Sequence, residues 1–455
     1  MTPRILLVST YEMGHQPLGL ASAAAALRIA GYEVACRDIS VEPLPPDLVA
    51  SAGLVGISVP MHTAARLGIA VARRVRELNP QAHVAFYGLY ATPLAEVLRT
   101  AGLAGSVVGG EYEAGLVRLA DALAAEDQPC AVDLAFERQD YPVPDRNGLP
   151  PLDQHARLSV GGELRLAAYV EATRGCAHTC THCPITPVYG GRLRLVQPEV
   201  VLADIDQQVA MGARHITFGD PDFLNAVPHS LAIVRELGRR HPGVTFDATI
   251  KVEHLVEHEA LLPGLRDAGC LFITSAFEST NDAILGRLEK GHTRAHMERA
   301  LAFAERAGLT IRPTWVAFTP WTTARDYLDL LAFVAEHGLV GNVQSVQFGL
   351  RLLLPPGSPL VPVLASDGLL GPFDDNGLTF TWKNPDPRMD ALQREVAAIV
   401  EAAAAAHDHD AGVPAEITLA KVRQAAYRAL EGRDAPPVAT RPAKAVPGLT
   451  ESWFC

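Results

Sequence analysis

The chain has 455 residues and a formal net charge of −12, with 48% hydrophobic and 20% charged residues. That composition is ordinary for a globular protein and long enough for two or three domains with cores of their own. The acidity and the lack of any Lys/Arg cluster argue against a nucleic-acid partner, and the longest late apolar run, EVAAIVEAAAAAH, is too short and too interrupted by Glu to cross a bilayer. The first residues, TPRILLVST, read as a strand rather than a secretory signal. Seven cysteines are too few for a disulfide scaffold, and three of them fall within eight residues. The expectation is a cytoplasmic protein with a metal site.

From Arg4 to about Ala124 short β-rich runs alternate with Ala/Leu-rich helical ones. The strands are RILLVST (4–10), EVACRDI (33–39), LVGISVP (54–60), HVAFYG (83–88) and GSVVGG (105–110), and the helix LASAAAALRIAG closes on Gly31. Near-continuous apolar strands joined by helices predict a doubly wound, Rossmann-like α/β domain over 1–125. Its ligand loops belong beyond the carboxyl ends of the strands. A Pro-, Asp- and Gly-rich linker over 126–165 shows no periodic element.

A second βα series over 166–362 has six expected strands: LAAYVEATR, HITFGD, VTFDATI, CLFITSAFE, TIRPTWVAF and VQSVQFGLR. The helix from Pro198 keeps Val201, Leu202, Ile205 and Val209 on one face. Six strands with crossover helices predict a partial (β/α)6 barrel, open on one side. Beyond it, 363–435 offers helices in KNPDPRMDALQREVAAIVEAAAAA and RQAAYRALEG, a helical C-terminal extension, and 436–455 a Pro/Ala-rich tail extended over the surface.

RGCAHTCTHCP places Cys176, Cys180 and Cys183 in the spacing C-x3-C-x2-C directly after an expected strand. Three thiolates so close can hold three irons of one [4Fe–4S] cluster and leave the fourth iron open, as a substrate-binding cluster requires. Cys270 begins a strand and is poorly placed to be a fourth ligand. A zinc site is the other chemistry three thiolates admit, although no fourth ligand for it is apparent.

This motif at the end of the first strand of a β/α series resembles the radical S-adenosylmethionine superfamily. The resemblance implies that the methionyl amine and carboxylate chelate the fourth iron, and that an electron from the cluster cleaves S-adenosylmethionine to methionine and a 5′-deoxyadenosyl radical. His182 stands where that superfamily usually has an aromatic residue whose backbone meets the adenine. In FGDPDF, Asp220 and Asp222 stand where the methionyl amine is received, a helix-capping pair being the other role for such residues. Lys251, in DATIKVEH, faces the carboxylate or is solvated. Glu278 and Ser279, in SAFESTNDAILGRLEKGHT, resemble the pattern that touches the ribose hydroxyls. Arg312 and Arg351, on the fifth and sixth strands, point into the barrel or away from it.

The N-terminal pieces QPLGLASAAAALRIAGYEVACRDI, LVGISVP and VVGGEYEAGLVRL resemble the cobalamin-binding domain that precedes many such cores. The strand spacing by itself shows only a flavodoxin-like fold. Where the protein coordinates cobalt, D-x-H-x-x-G follows the first strand; here STYEMGHQPLG leaves His15 out of register and without a preceding Asp. Cobalamin bound without a His ligand and a domain that has lost it are both open. Gly88, Gly109 and Gly110 allow close approach of a ligand or serve as turn glycines.

Over the whole length FGDPDF, KVEH, PWTT, RLLLPPGS and the final ESWFC resemble the radical S-adenosylmethionine family named for its CUAEP or CCAEP tail, in which U is selenocysteine. That resemblance implies a redox-active Cys455 followed by a selenocysteine codon; the alternative is an ordinary terminal thiol. It also implies a small-molecule or peptide substrate and an electron donor such as flavodoxin or ferredoxin, with no nucleic acid or membrane as partner. Methyl transfer is expected if cobalamin binds, and a rearrangement or C–S or C–Se chemistry if it does not. The rivals are a methylthiotransferase acting on RNA, disfavoured by the acidity, and an iron–sulfur electron carrier, which a fourth cysteinyl ligand would favour.

Overall fold

The computed structural model describes residues 3–407, 413–437 and 446–451. At the N-terminus β1 (Ile5–Ser9), β2 (Val34–Asp38), β3 (Leu54–Ser58), β4 (His83–Tyr87), β5 (Ser106–Gly110) and β6 (Val132–Ala135) form one parallel sheet in the order β2-β1-β3-β4-β5-β6. Alternation explains why the first five strands look uniformly apolar. Leu6, Val8, Val55, Ile57, Val84 and Phe86 belong to one core, and Ile5, Leu7, Leu54, Ala85 and Tyr87 to another, so both faces lie under helices. The strand order reverses between β1 and β3, and the ligand crevice of such folds lies beyond the ends of those two strands. β6 falls inside the expected linker. Its residues are only partly covered, with Leu134 45% exposed, so no clear pattern marked it.

The second unit opens with a hairpin of β7 (Arg157–Val160) and β8 (Glu163–Val170), turning on Gly161 and Gly162. β9 (Thr173–Gly175) pairs antiparallel with β10 (Leu193–Leu195) and so brackets the cysteine loop between them. β8 is followed in the main sheet by β11 (His215–Phe218), β12 (Thr245–Thr249), β13 (Cys270–Glu278) and β14 (Thr310–Trp315), parallel throughout. Ile216, Phe218, Phe246, Ala248, Ile273 and Phe277 pack into the helical side. The opposite face is polar: His215 Nε2 and the Thr217 hydroxyl meet Asp247 Oδ1 at 2.9 and 2.7 Å.

The sixth strand expected at 343–351 is a 3-10 turn, Ser345–Phe348, with a single bridge between Phe318 and Arg351. The Gln347 side chain accepts from the backbone N–H of Trp315 at 2.9 Å, supplying the partner a strand would have given. The region expected to be helical contains a hairpin of β15 (Leu370–Asp374) and β16 (Thr379–Trp382) before the helices Pro387–His407 and Ala415–Glu431. The described part of the tail does not run loose over the surface. β17 (Gly448–Leu449) adds antiparallel to β7, so the sheet order is β14-β13-β12-β11-β8-β7-β17. Arg312 of β14 donates to the carbonyl of Pro447 at 3.0 Å, and Tyr11 donates to Glu451 at 3.0 Å. The edge of β7 and the open side of the barrel both gain partners this way. Among the described residues no helix is long and apolar enough to cross a membrane.

Candidate iron–sulfur site

The loop between β9 and β10 carries Cys176 and Cys180, both buried, and Cys183, half-buried. Gly175 precedes it with φ +70°, and a Cβ there would meet the carbonyl of Arg192 and the ring of Tyr189, so only glycine fits. Backbone bonds from Cys183 to Cys180 and from Thr186 to Cys183, each 3.2 Å, wind the loop tightly. Burial raises the Cys176 thiol and pushes Cys183 up to about 12. As isolated thiols they would be inert; as thiolates they need a cation beside them, which suits metal ligation. Cys270 lies at the start of β13, the opposite end of the sheet from the loop, and Cys36 is in the N-terminal sheet.

Two neighbours missed in the sequence complete this surround. Lys290 is 4% exposed, and its ammonium acts on both Cys180 and Cys183. The sequence signal was a Lys within RLEKGHT, which reads as a surface residue until burial is known. Asn225 donates from Nδ2 to the Cys176 sulfur at 3.4 Å. Donors to cluster sulfurs raise reduction potentials, so Asn225→Leu is expected to move the cluster potential in the negative direction in an EPR-monitored redox titration.

Glu278 ends β13 with a left-handed φ of +64°, where the register to β14 shifts. Its Oε1 accepts from His182 Nε2 at 3.1 Å and Lys290 Nζ at 3.2 Å. Burial would raise this carboxyl, but Lys290 first and His182 second outweigh it and hold it at about 2. The depressed value makes Glu278 a stabilising group above the ordinary carboxylate range, and that contribution is lost as pH falls from 4.5 toward 2. Glu278→Gln is therefore expected to lower stability by about 2–3 kcal/mol at pH 7. Urea midpoints of parent and variant, measured on cluster-free protein, should converge as pH drops through that window. Ser279 accepts from the N–H of Asn281 at 3.1 Å, opening the helix Asp282–Arg287.

The carboxylates of FGDPDF are both engaged by the chain. Asp220, 1% exposed, accepts from Ala172 N at 3.0 Å and Thr173 Oγ1 at 2.6 Å, fastening the segment that leads into β9. Burial raises it to about 7 against the pull of those bonds. Asp222, wholly buried, lies 2.6 Å from His254 Nδ1 and 3.5 Å from His178 Nε2. Lys251 is buried, with its ammonium 3.0 Å from Glu253. The role expected of Asp220 thus meets a carboxylate whose oxygens already brace the cysteine loop.

Arg174, two residues before Cys176, joins the two units. Its guanidinium lies 2.7 Å from Glu113, 3.1 Å from Glu171 and 3.4 Å from Glu111, between the rings of Tyr112 and Tyr141. Arg312 stays on the polar face of the sheet over Phe272, while Arg351 turns outward to Asp390 and the ring of Trp382. In the N-terminal unit His15 is 5% exposed, its ring 4.7 Å from that of Tyr169, and burial lowers it to about 4. A Cβ on Gly109 would strike Thr92, and one on Gly110 the carbonyl of Ala135. The chain's own packing therefore accounts for those two glycines. Gly88, at φ +101°, has the backbone of Val59 at 3.4 Å from its would-be Cβ. Buried atoms without hydrogen-bond partners, Ser9 Oγ and Glu12 Oε1, instead mark the crevice beyond β1 and β3. Cys455 lies outside the described residues.

A sheet of parallel strands with a three-cysteine loop beyond its first strand defines the class, and residues 170–324 match the family model of the Radical SAM superfamily. The chain carries a radical S-adenosylmethionine domain there. It is similar to the hopanoid C-3 methylase of Methylococcus capsulatus, 24% identical over 71% of this chain and 65% of the relative. A uS12 methylthiotransferase of Porphyromonas gingivalis is 25% identical over 37% of this chain and 41% of its own length. The chain thus spans about two thirds or less of these relatives. Among solved structures, the cobalamin-dependent S-adenosylmethionine radical enzyme OxsB aligns over 94% of this chain and 72% of its own, at 15% identity and TM-score 0.69. The methyltransferase TsrM of Kitasatospora setae, solved with tryptophan and an S-adenosylmethionine analogue, aligns over 80% and 76% at 18% identity and TM-score 0.61. Both share the fold.

Proposed function

We propose that this protein is a radical S-adenosylmethionine enzyme that transfers a methyl group to a small molecule with the help of cobalamin. The observation that carries the reading is the loop of Cys176, Cys180 and Cys183, compact and largely buried, with no fourth cysteine at that end of the sheet among the described residues. Such a donor set fits a cluster with one open iron. When bound, the cluster supplies the electron that opens the sulfonium of S-adenosylmethionine, and a corrinoid supplies a methyl carrier. The protein's own part is to hold and screen. Lys290 offsets thiolate charge, Asn225 caps the Cys176 sulfur, Glu278 orients His182 next to Cys183, and Asp220 fixes the approach to β9. His182, Lys251, Ser279 and Glu278 are the residues we assign to S-adenosylmethionine.

For the corrinoid, the fold likeness over nearly the whole chain favours binding, and the unpartnered Ser9 and Glu12 atoms fit a polar ligand in the β1/β3 crevice. His15 does not fit a cobalt ligand, being packed under Tyr169. Protein mixed with hydroxocobalamin and desalted is expected to keep a stoichiometric corrinoid, and His15→Ala to leave its absorption spectrum unchanged. Loss of corrinoid, or a spectral change on that substitution, would show the loop to be misassigned. Adding S-adenosylmethionine to the reduced protein should alter the EPR spectrum of the cluster, as an open iron predicts. A methylthiotransferase is less well supported, because that likeness covers 37% of the chain. A redox role for Cys455 rests on the ESWFC resemblance alone, and a flavodoxin or ferredoxin donor on the superfamily resemblance.

A further inference from the structure

We infer that His178, Asp222 and His254 form a binding site for a zinc-type divalent ion, distinct from the cysteine cluster. The three residues come from three elements: the cysteine loop, the loop after β11, and the short helix Val252–Glu257. His178 Nε2, Asp222 Oδ2 and His254 Nδ1 all lie within 4.8 Å of one another. Each of these atoms is buried, and none has an aligned hydrogen-bond partner, although Oδ2 stands 2.6 Å from His254 and 3.5 Å from His178. Buried polar atoms are almost always satisfied. Here three such atoms from separate elements converge with only one another as partners, through the ion pairs of Asp222 with His254 and His178, and a cation is the ligand that two imidazole nitrogens and a carboxylate can share.

The surroundings agree with that chemistry. Asp222 Oδ1 accepts from the backbone N–H of Lys251 at 3.3 Å, which leaves Oδ2 facing the imidazoles. Glu253 lies 4.0 Å from the far nitrogen of His178 and adds negative charge beside the site. Asp222 and Glu253 together outweigh the one ammonium nearby, Lys251, so the site attracts a dication. At bond lengths of about 2.1 Å, ligand atoms of a tetrahedral ion stand about 3.4 Å apart; Asp222 and His178, at 3.5 Å, are near that spacing, and the 2.6 Å between Asp222 and His254 must open by about 0.8 Å to admit an ion. Two imidazoles and one carboxylate suit zinc or ferrous ion rather than calcium or magnesium. Three protein ligands leave a position for water or a ligand atom. His178 sits between Cys176 and Cys180, so an ion here also ties the cysteine loop to β11 and to the element after β12. This assignment takes Asp222 away from the methionyl amine. It uses no cysteine, so its failure would leave the S-adenosylmethionine reading standing.

The test uses full-length protein loaded with about four irons per chain, so that the cysteines are occupied. It is washed with a mild chelator, given zinc sulfate, desalted and assayed for zinc and iron together. Close to one zinc per four irons is the expected result. His254→Ala and Asp222→Asn should each weaken zinc retention at least tenfold with iron unchanged, and cobalt in place of zinc should give a visible d–d band that both variants lose. His254 is at the rim, so its variant stays informative if Asp222→Asn does not fold. His254, Glu257 and His258 form a second, more exposed set at the end of the helix Val252–Glu257, and His258→Ala should have no effect. Zinc absent from the parent, retained in His254→Ala, or lost in His258→Ala would each overturn the assignment.

Discussion

Replacing Arg174 by Met is expected to cost about 3–5 kcal/mol of stability at neutral pH, read as a lower urea midpoint. The guanidinium is 8% exposed and serves three carboxylates at once, Glu113, Glu171 and Glu111, while lying against the rings of Tyr112 and Tyr141. Burial opposes its charge, yet Glu113 and its other partners hold it more firmly protonated than a free arginine. Without it the carboxylates are desolvated, close together and unpaired, and such a charge is far costlier than the pair was favourable. The loss should shrink as pH is lowered, because burial already raises the Glu171 carboxyl and a protonated acid needs no counter-charge. Neutralising Glu113 together with Arg174 should recover part of it, which a double-mutant cycle measures. Because Arg174 is two residues before Cys176, iron content should also fall in the variant. A variant with unchanged midpoint would show that the two units are not joined through this group.

Cys180→Ala is expected to reduce iron from about four per chain to background and to abolish turnover of S-adenosylmethionine. Among the described residues no further cysteine stands near the loop to replace it, since Cys270 is at the far end of β13. Cys36→Ala, in the N-terminal sheet, should leave iron content as it is. An unchanged cluster in Cys180→Ala would mean that the iron is held elsewhere.

Much of this was legible in the sequence because the signals were local and periodic. The five apolar strands of the first sheet, the helix closing at Gly31, and C-x3-C-x2-C each announce themselves within a dozen residues. The expected sixth barrel strand failed because a side chain, Gln347, took over a strand's hydrogen-bonding role, which no pattern reveals. β6 and β17 escaped because both are short edge strands, the first only partly covered and the second paired across nearly 300 residues of chain. At the site the cysteines were plain, but Lys290 and Asn225 reach them only through the tertiary fold. Asp220 was expected to receive the methionyl amine, but its two oxygens turn to Ala172 and Thr173, a pairing no local pattern reveals. Histidines were hardest to read. His178 lay inside the motif and was passed over, whereas His15, prominent in its loop, is packed against Tyr169.

The most direct test of the account is product analysis with anaerobically reconstituted, corrinoid-loaded protein, S-adenosylmethionine and a strong reductant. The account predicts 5′-deoxyadenosine, accompanied by S-adenosylhomocysteine where methyl transfer operates, both absent from the Cys176, Cys180 and Cys183 alanine variants. Protein that carries about four irons per chain yet leaves S-adenosylmethionine intact under these conditions would contradict it, and would make the cluster an electron carrier.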